Sequence, residues 1–303
     1  MKINHIYNKS VTCLEPGETV SERYSGSNAG FAIFKTIKLP KNTTIVFSQL
    51  KDFEWIDWGD NSDPYLKLAE GHETAQHIYS TADGETDFTI VVYGIKNLGR
   101  GSSSTTSITN IFTGDLITTA YFGEGVSVWG DPEALWGFHE CSKLTKIKNL
   151  SQCPKGFIGV TNDLSKHSII SNIIFNIDCT EISDYGLSST RYNMNFLEIP
   201  ERINILKKGA FFGVDKGENR ESNPQILNIL LPKNLKYLGE NSLKSDYIKI
   251  FYKGDSSNWS EIEKDVNGIG TSEIYFYSEV EPTSASNKLW HYADGEPVIW
   301  TKE

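Results

Sequence analysis

The clearest group of side chains that could do chemistry is an oxygen-rich turn containing Asp57, Asp60, Asn61 and Asp63. Clustered carboxylate and amide oxygens are the ligands that calcium prefers. Their spacing is not that of an EF-hand loop, however, and the phrase GDNSDP is dense in residues that form turns. We therefore favour a structural turn over a metal site. Asp57, Asp60 and Asp63 stay as weak metal candidates, and no cofactor is predicted.

Other residues with chemical potential are scattered along the chain. The six histidines form no HExxH motif, and the sequence contains no GxSxG elbow, glycine-rich phosphate loop or zinc spacing. A carboxylate pair for glycoside hydrolysis can come from distant strands, so the sequence alone does not exclude one. Since no residue points to such a pair, we predict that the protein is not an enzyme.

The four cysteines, Cys13, Cys141, Cys153 and Cys179, include no CxxC pair. Cys153 and Cys179 occupy the same inward position of a repeat described below. Buried cysteine commonly acts as a small apolar residue, so we favour packing over a disulfide or a metal site. The sequence leaves the redox state of these cysteines open.

Composition and charge limit the classes of partner. The chain has 303 residues and a net charge of -10 without a block of like charges, which disfavours phosphate neutralisation and hence nucleic acid. No apolar run approaches the roughly 20 residues of a membrane span, so membrane insertion is not expected. Aromatic residues make up 12% of the chain, which favours strands and binding surfaces.

The centre of the chain carries an apolar repeat, seen when Asn176, Pro200 and Pro232 are taken as position zero. Weaker copies start from Gly123 and Leu150, so successive copies are a few tens of residues apart, as in stacked solenoid coils. At the same offset from position zero, the three copies carry matching apolar residues. These are Ile170, Met194 and Ile226 at minus six; Ile173, Leu197 and Ile229 at minus three; Phe175, Ile199 and Leu231 at minus one; Cys179, Ile203 and Leu235 at plus three; Ile182, Leu206 and Leu238 at plus six; and Leu187, Phe211 and Leu243 at plus eleven.

Alternation at minus three and minus one is the period of a half-buried strand, and proline at zero ends that strand. The residue between, at minus two, should point outward. We therefore predict binding residues on the outward strand face at Ile174, Glu198 and Leu230, with Lys249 beyond. Apolar residues at such positions mark either a contact patch or a covered surface, and we favour coverage or subunit packing.

Two segments of this repeat carry a family resemblance. FLEIPERINILKKGAFFG (196–213) and ILNILLPKNLKYLGENSLKS (226–245) resemble the BspA-type leucine-rich repeats of bacterial surface proteins and phages, with their IP step and AF-like ending. After Leu243 the register is lost, and the remaining chain resembles the module that closes such arrays. The residues predicted to cover the last coil are Trp259, Phe276, Trp290, Tyr292 and Trp300.

Before the repeat, four stretches have strand character: FAIFKTIKL, TTIVFSQL, FEWIDWG and DFTIVVYGI. The phrases IDWGDNSDP and QHIYSTADGETDFTIVVYG resemble a PKD-type immunoglobulin-like domain, with Asn61 in place of the usual glycine and Phe88 in place of tyrosine. In that family the oxygen-rich turn caps itself, and the resemblance implies structural roles for the histidine of the H-x-Y step. The matching residues are Trp58, Gly59, Asp60, His77, Tyr79 and Thr89.

Together these patterns predict a mainly β protein: an immunoglobulin-like β-sandwich followed by a short BspA-type solenoid with an aromatic C-terminal cap. The predicted units are an N-terminal arm (1–30), a PKD-like β-sandwich (31–98), a linker (99–113), a leucine-rich repeat solenoid (114–246) and a capping module (247–303).

We predict a non-catalytic binding or assembly protein. The first residues lack the apolar region of a secretory signal, which favours a phage virion component (tail, fibre or capsid decoration) over a bacterial cell-surface adhesin. A carbohydrate-active enzyme is a distant third. The expected partners are other virion proteins or a protein or glycan of the host surface, and a homo-oligomer stays open.

Overall fold

The computed structural model describes residues 31–50, 53–67, 73–94, 116–123, 143–150, 169–175, 179–216, 225–283 and 288–301. This part of the chain is mainly β, with a solenoid-like arrangement of strands. None of its helices is long and apolar enough to cross a membrane. The predicted arm (1–30), the predicted linker (99–113) and three of the four cysteines lie outside the described residues.

The first described region forms two β-sheets that pack on each other. Its strands are β1 (Phe31–Thr36), β2 (Thr43–Leu50), β3 (Trp55–Asp57), β4 (Tyr65–Leu66), β5 (Glu73–Tyr79) and β6 (Thr89–Tyr93). Strands β1, β6, β3 and β4 pair antiparallel in one sheet, whereas β2 and β5 form a separate pair. The rings of Phe34 and Phe47 meet across the two sheets at 5.7 Å. The four strand predictions in this region are confirmed.

The remaining strands are short and repeat along the chain. They are β7 (Ile117–Phe122), β8 (Lys146–Leu150), β9 (Ile169–Ile170), β10 (Asn172–Phe175), β11 (Glu181–Ile182), β12 (Arg191–Tyr192), β13 (Phe196–Glu198), β14 (Ile205–Leu206), β15 (Asp215–Lys216), β16 (Leu227–Leu231), β17 (Tyr237–Leu238) and β18 (Ile248–Tyr252). A helix, α1 (Ser256–Glu261), is followed by β19 (Glu263–Lys264), β20 (Glu273–Tyr277), β21 (Leu289–Ala293) and β22 (Glu296–Ile299).

Parallel pairing stacks these strands into coils. Strands β13, β16, β18, β20 and β21 form a parallel ladder, and β22 closes it antiparallel as the sixth strand. Strands β11, β14, β17 and β19 form a second ladder, and β9, β12 and β15 a third. The result is a solenoid, because each coil places one strand beside the matching strand of its neighbour.

The register of the ladders confirms the repeat that the sequence predicts. Ala120 lies opposite Ile147, and Ile147 opposite Ile173, as the minus-three column requires. Leu197 faces Ile229 in the same column. In the plus-six column, Ile182 lies opposite Leu206, which lies opposite Leu238. Sequence periodicity therefore predicts which of these residues lie opposite one another.

One predicted inward position is wrong. Ile226, in the minus-six column, has 45% of its surface exposed. Its neighbour Leu227, the first residue of β16, is buried instead. The strand begins with Leu227 facing the core, so alternation turns Ile226 outward.

The antiparallel region and the first coils share one sheet. Strand β1 pairs antiparallel with β7, which pairs parallel with β8, and β8 with β10. A continuous apolar core extends from Ala32 on β1 to Ile262 beyond α1. Hydrogen bonds between β1 and β7 thus join regions that lie on either side of the predicted linker.

The solenoid also continues past Leu243, where the sequence register is lost. Strand β18 pairs with β16, and β19 with β17, so a further coil is present. Helix α1 lies between β18 and β19, and its residues interrupt the repeat spacing. Asp255 caps this helix by accepting a hydrogen bond from the Asn258 N–H at 2.9 Å. The inserted helix explains why periodicity alone misses this coil.

A column of left-handed residues turns each coil at the same place. The φ angles are 55° at Tyr185, 61° at Gly209, 56° at Asn241 and 60° at Asn267. Glycine is required at 209 for a second reason, because a Cβ there would lie 2.4 Å from a ring carbon of Tyr185. Asparagine tolerates this conformation better than most residues, which suits its use in the later coils.

The far end of the six-stranded sheet is a hairpin. Asp294 and Gly295, with φ angles of 50° and 82°, form the tight turn between β21 and β22. Pro297 lies on β22, the edge strand of the described sheet. Proline lacks an N–H and discourages the pairing of a further strand at an edge.

Candidate functional site

Successive residues of the six-stranded sheet point to opposite faces. The inner face carries an aliphatic row in which Leu197, Ile229, Ile250 and Ile274 lie opposite one another in neighbouring strands. The adjacent row belongs to the other side, which we call the outer face. Its members in the same register are Glu198, Leu230, Phe251 and Tyr275.

The outer face carries an apolar cluster of its own, separate from the main core. Its buried members are Leu230, Phe251, Tyr275 and Trp290. The rings of Phe251 and Tyr275 stack at 5.5 Å, and Trp290 meets Phe251 edge-on at 5.8 Å. Phe196, Tyr277 and Ile299 pack around them half-buried. We call these seven residues the outer aromatic cluster.

Trp290 fixes this cluster in place. Its indole is buried, and Nε1–H donates a hydrogen bond to the Tyr252 carbonyl oxygen at 2.9 Å. The Trp290 ring also lies 5.1 Å from the Tyr277 ring and 5.0 Å from that of Tyr292. Tyr292 is 43% exposed, so a buried ring orients a ring that solvent can reach.

These positions correct part of the predicted cap. Trp259 and Phe276 do pack on the end of the core, where both rings contact Tyr252. Trp290 and Tyr292 lie on the outer face instead, because strand alternation places them on the side of Tyr277. Trp300 stacks on His291 at 3.7 Å.

Charged side chains surround the exposed end of the cluster. Lys253 Nζ lies 2.6 Å from Glu198 Oε1 and 3.5 Å from Glu201 Oε1. Burial lowers the pKa of Lys253, but the hydrogen bond and charge of Glu198 outweigh burial and raise it. The Tyr277 hydroxyl donates to Glu279 Oε1 at 3.4 Å. We call Glu198, Glu201, Lys253, Tyr277, Glu279 and Tyr292 the tyrosine–carboxylate patch.

Both tyrosines of the patch keep their protons at neutral pH. Burial raises the pKa of Tyr277, and the negative charge of Glu279 adds to the effect. Burial also raises the pKa of Tyr292, against an opposing effect of Lys253. The patch therefore presents neutral aromatic rings beside glutamate side chains.

The predicted binding residues are only partly brought together. Glu198 and Leu230 lie side by side in β13 and β16, but Leu230 is buried in the outer aromatic cluster. Lys249 lies in another outer row, opposite Asn228 and Glu273. Ile174 is 48% exposed and lies on β10 in the seven-stranded sheet.

Sequence reasoning missed Lys253, Tyr277 and Glu279. The phrase YFYSE contains a usable signal, since alternation along β20 places Tyr275 and Tyr277 on one face. Lys253 immediately follows β18 and had no repeat partner in the sequence, because α1 disturbs the spacing there.

The carboxylates of the oxygen-rich turn are hydrogen-bonded to nearby groups of the protein. Asp57 Oδ1 accepts the Gly59 N–H at 2.8 Å, and Asp60 Oδ1 accepts both the N–H and hydroxyl of Ser62. Asp60 Oδ2 lies 2.7 Å from His77 Nε2. Burial opposes ionisation of Asp60, yet the hydrogen bonds from Ser62 and His77 hold its pKa below the usual value.

Aromatic packing holds the same turn. The Trp58 ring stacks on His77 at 5.1 Å, and the Tyr79 hydroxyl donates to the Trp58 carbonyl oxygen at 2.8 Å. Burial, the largest cause, raises the pKa of Asp57 above its usual value. Within the described residues, no group of three or more His, Cys, Asp or Glu side chains is arranged to hold a metal ion.

Cys179 lies in the core cluster, buried beside the other residues of its coil. This agrees with its predicted role as an apolar core residue.

Comparison with known proteins adds no relatives: no family model, curated protein or solved structure matches this chain significantly.

Proposed function

We propose that this chain is a non-catalytic binding or assembly protein whose contact surface is the outer face of the six-stranded sheet. One observation carries the proposal: buried Trp290 orients the exposed ring of Tyr292 on a rigid sheet, beside charged groups. Tyrosine and tryptophan are enriched where proteins bind other molecules. A side chain held by a buried neighbour also loses little freedom on binding.

We place this function in a phage virion, as a tail, fibre or capsid-decorating component. The likeness of the repeat to BspA-type sequences supports this setting, as does the likeness of the first region to PKD-type immunoglobulin-like domains. The stacked aromatic rings and the capped turn around Trp58 and His77 are compatible with that finer assignment. The expected partners are other virion proteins or a host surface protein or glycan.

Location separates this proposal from a bacterial cell-surface adhesin, which would use the same face. Particles released from the source would be purified on a density gradient and analysed by mass spectrometry and immunogold electron microscopy. We expect the chain to co-sediment with particles and gold to label them at regular positions. Recovery from the cell surface, with particles unlabelled, would contradict the virion setting.

The contact surface can be tested on the same particles. Purified chain carrying Tyr292→Ala would be added to particles that lack the protein, and its retention compared with that of wild type. Glu263→Gln, an exposed change on β19 in another sheet, is the matched control. We expect wild type and the control to be retained and Tyr292→Ala to be lost. Equal retention of all three would exclude the outer face.

A further inference from the structure

We infer that the tyrosine–carboxylate patch takes a lysine or arginine side chain from a basic surface of a partner protein. This inference depends on the proposed function, because it names the kind of partner that the outer face contacts. A tyrosine and a glutamate two residues apart are hydrogen-bonded at two places, one at the start of β20 and one at its end, where Glu279 lies just beyond the strand.

In the first copy of the motif, a lysine of the same chain binds the tyrosine–glutamate pair. The Tyr275 hydroxyl donates to Glu273 Oε2 at 3.1 Å, two residues away on β20. Lys288 Nζ lies 2.9 Å from Glu273 Oε1 and 6.0 Å from the centre of the Tyr275 ring. An ammonium group here gains both an ion pair and the attraction of an aromatic ring.

The second copy contains the same two residue types. The Tyr277 hydroxyl donates to Glu279 Oε1, again two residues away. In the described part of the chain, no lysine or arginine reaches Glu279 within ion-pair distance or lies over the Tyr277 ring. The second copy is more exposed and has its two residues in the reverse order along the chain, but it joins a tyrosine hydroxyl to a glutamate in the same way.

Charge around the second copy favours a basic ligand. Glu279 lies beside Tyr277, and the charges of Glu198 and Glu201 act on Tyr292. Lys253 supplies one ammonium, which already pairs with Glu198 and Glu201. The Glu198 and Glu201 side chains are 59% and 52% exposed, so a partner can reach them. Because the carboxylates outnumber the ammonium group, the net negative charge beside the tyrosine rings attracts a cation and repels an anion.

The rings of the patch have a suitable shape for a long basic side chain. Tyr277 and Tyr292 lie 6.1 Å apart with their planes tilted by 55°. A flat guanidinium can stack on the face of a tyrosine ring. A second copy of this chain is a poor occupant, since its net charge of -10 would set acidic surface against acidic surface.

The test uses a glycine-flanked arginine tripeptide as probe and the same tripeptide with citrulline as its neutral isostere. Both would be titrated into ¹⁵N-labelled full-length protein and followed by amide chemical shifts. We expect the arginine probe to shift the amides of Tyr277, Glu279 and Tyr292, and added salt to weaken the effect. We expect the citrulline probe to bind about fivefold to thirtyfold more weakly.

Variants separate the patch from general acidity. Glu279→Gln removes an exposed charge without touching the core, and we expect it to weaken the arginine probe severalfold. Glu263→Gln on β19 removes an equally exposed charge elsewhere and should leave the titration unchanged. Lys288→Ala empties the first copy of the motif, so the probe should then also shift Glu273 and Tyr275, which it leaves unmoved in wild type.

Three outcomes would overturn the inference: equal binding of arginine and citrulline, shifts that Glu279→Gln does not weaken, or shifts at the patch caused by neutral sugars instead. The last would make the ligand a glycan. The proposed function fails separately. If the chain is found in particles but its patch does not bind the arginine probe, the proposed function stands and the basic partner is excluded. If the patch binds the arginine probe but the chain is absent from particles, only the basic ligand stands.

Discussion

The two faces of the six-stranded sheet are both covered, but by different chemistry. On the inner face, aliphatic rows such as Leu197, Ile229 and Ile250 are buried by the other strands of each coil. On the outer face, aromatic rings cover one another, and the last of them stays exposed at Tyr292. The inner face thus holds the coils together, whereas the outer face combines packing with a surface that other molecules can reach.

The largest effect is expected from the inner face. Ile250→Ala removes a fully buried aliphatic side chain in the middle of β18, flanked by strands on both sides. We expect a loss of about 2–5 kcal/mol in the free energy of unfolding, because neighbouring coils cannot collapse into the cavity. Denaturant titration followed by circular dichroism measures it. A loss below about 1 kcal/mol would show that the inner row is not the main source of stability.

A smaller loss is expected from the outer face at Trp290. Trp290→Phe keeps an aromatic ring but removes the N–H that donates to the Tyr252 carbonyl oxygen. We expect about 1–3 kcal/mol, from the lost hydrogen bond and a small cavity. The same denaturant titration applies. Trp300→Phe removes a part-buried N–H that donates to the Ser278 carbonyl oxygen at 2.9 Å, so its smaller expected loss shows what the burial of Trp290 adds. If Trp290→Phe costs more than Ile250→Ala, the ranking of the two faces is wrong.

The ion pairs of Lys253 should contribute still less to the free energy of unfolding, and their contribution should depend on pH. Lys253→Gln removes the ammonium between Glu198 and Glu201, and we expect at most about 1 kcal/mol at neutral pH. Since folding raises the pKa of Lys253, its contribution is present below the unfolded pKa and lost as pH rises through the folded one. Unfolding curves at neutral and alkaline pH, with and without salt, should show wild type and variant converging. A constant difference would indicate packing instead.

In the oxygen-rich turn, removing a charge should raise the free energy of unfolding instead of lowering it. Folding raises the pKa of Asp57, chiefly by burial, so stability is lost as pH rises from the unfolded pKa of this carboxyl to its folded pKa. Asp57→Asn should therefore raise the free energy of unfolding slightly at pH 7, by less than about 1 kcal/mol, and the gain should vanish in acid. The asparagine oxygen can still accept the Gly59 N–H. Thermal melts across the acid range measure this, and a loss at pH 7 would contradict it.

The inner face is the part of the fold that sequence predicts best. Inward columns recur at fixed offsets, because every coil must bury the same faces against its neighbours. Leu206 and Leu238 were placed in this way, and their pairing confirms the register. The prediction failed where spacing changed: α1 hid a whole coil, and Ile226 turned outward at the start of β16.

The candidate site was only partly predictable. Alternation identifies Glu198 as an outward residue, since it depends on one strand alone. The same rule applied to YFYSE places Tyr277 outward, but that signal was missed. That Trp290 lies beside Tyr277 depends on which strands pair, and β21 shows no repeat signal in the sequence. The pairing of Lys253 with Glu198 joins residues from two different coils, which periodicity cannot specify.

The central claim is that the inner face carries stability and the exposed end of the outer face carries binding. The most direct test measures both quantities for Ile250→Val and Tyr292→Ala: the free energy of unfolding, and retention on particles that lack the chain. We predict that Ile250→Val loses about 0.5–1.5 kcal/mol and binds normally, whereas Tyr292→Ala unfolds like wild type and is not retained. If Tyr292→Ala is retained, or if retention falls only as stability falls, the division between the two faces is contradicted.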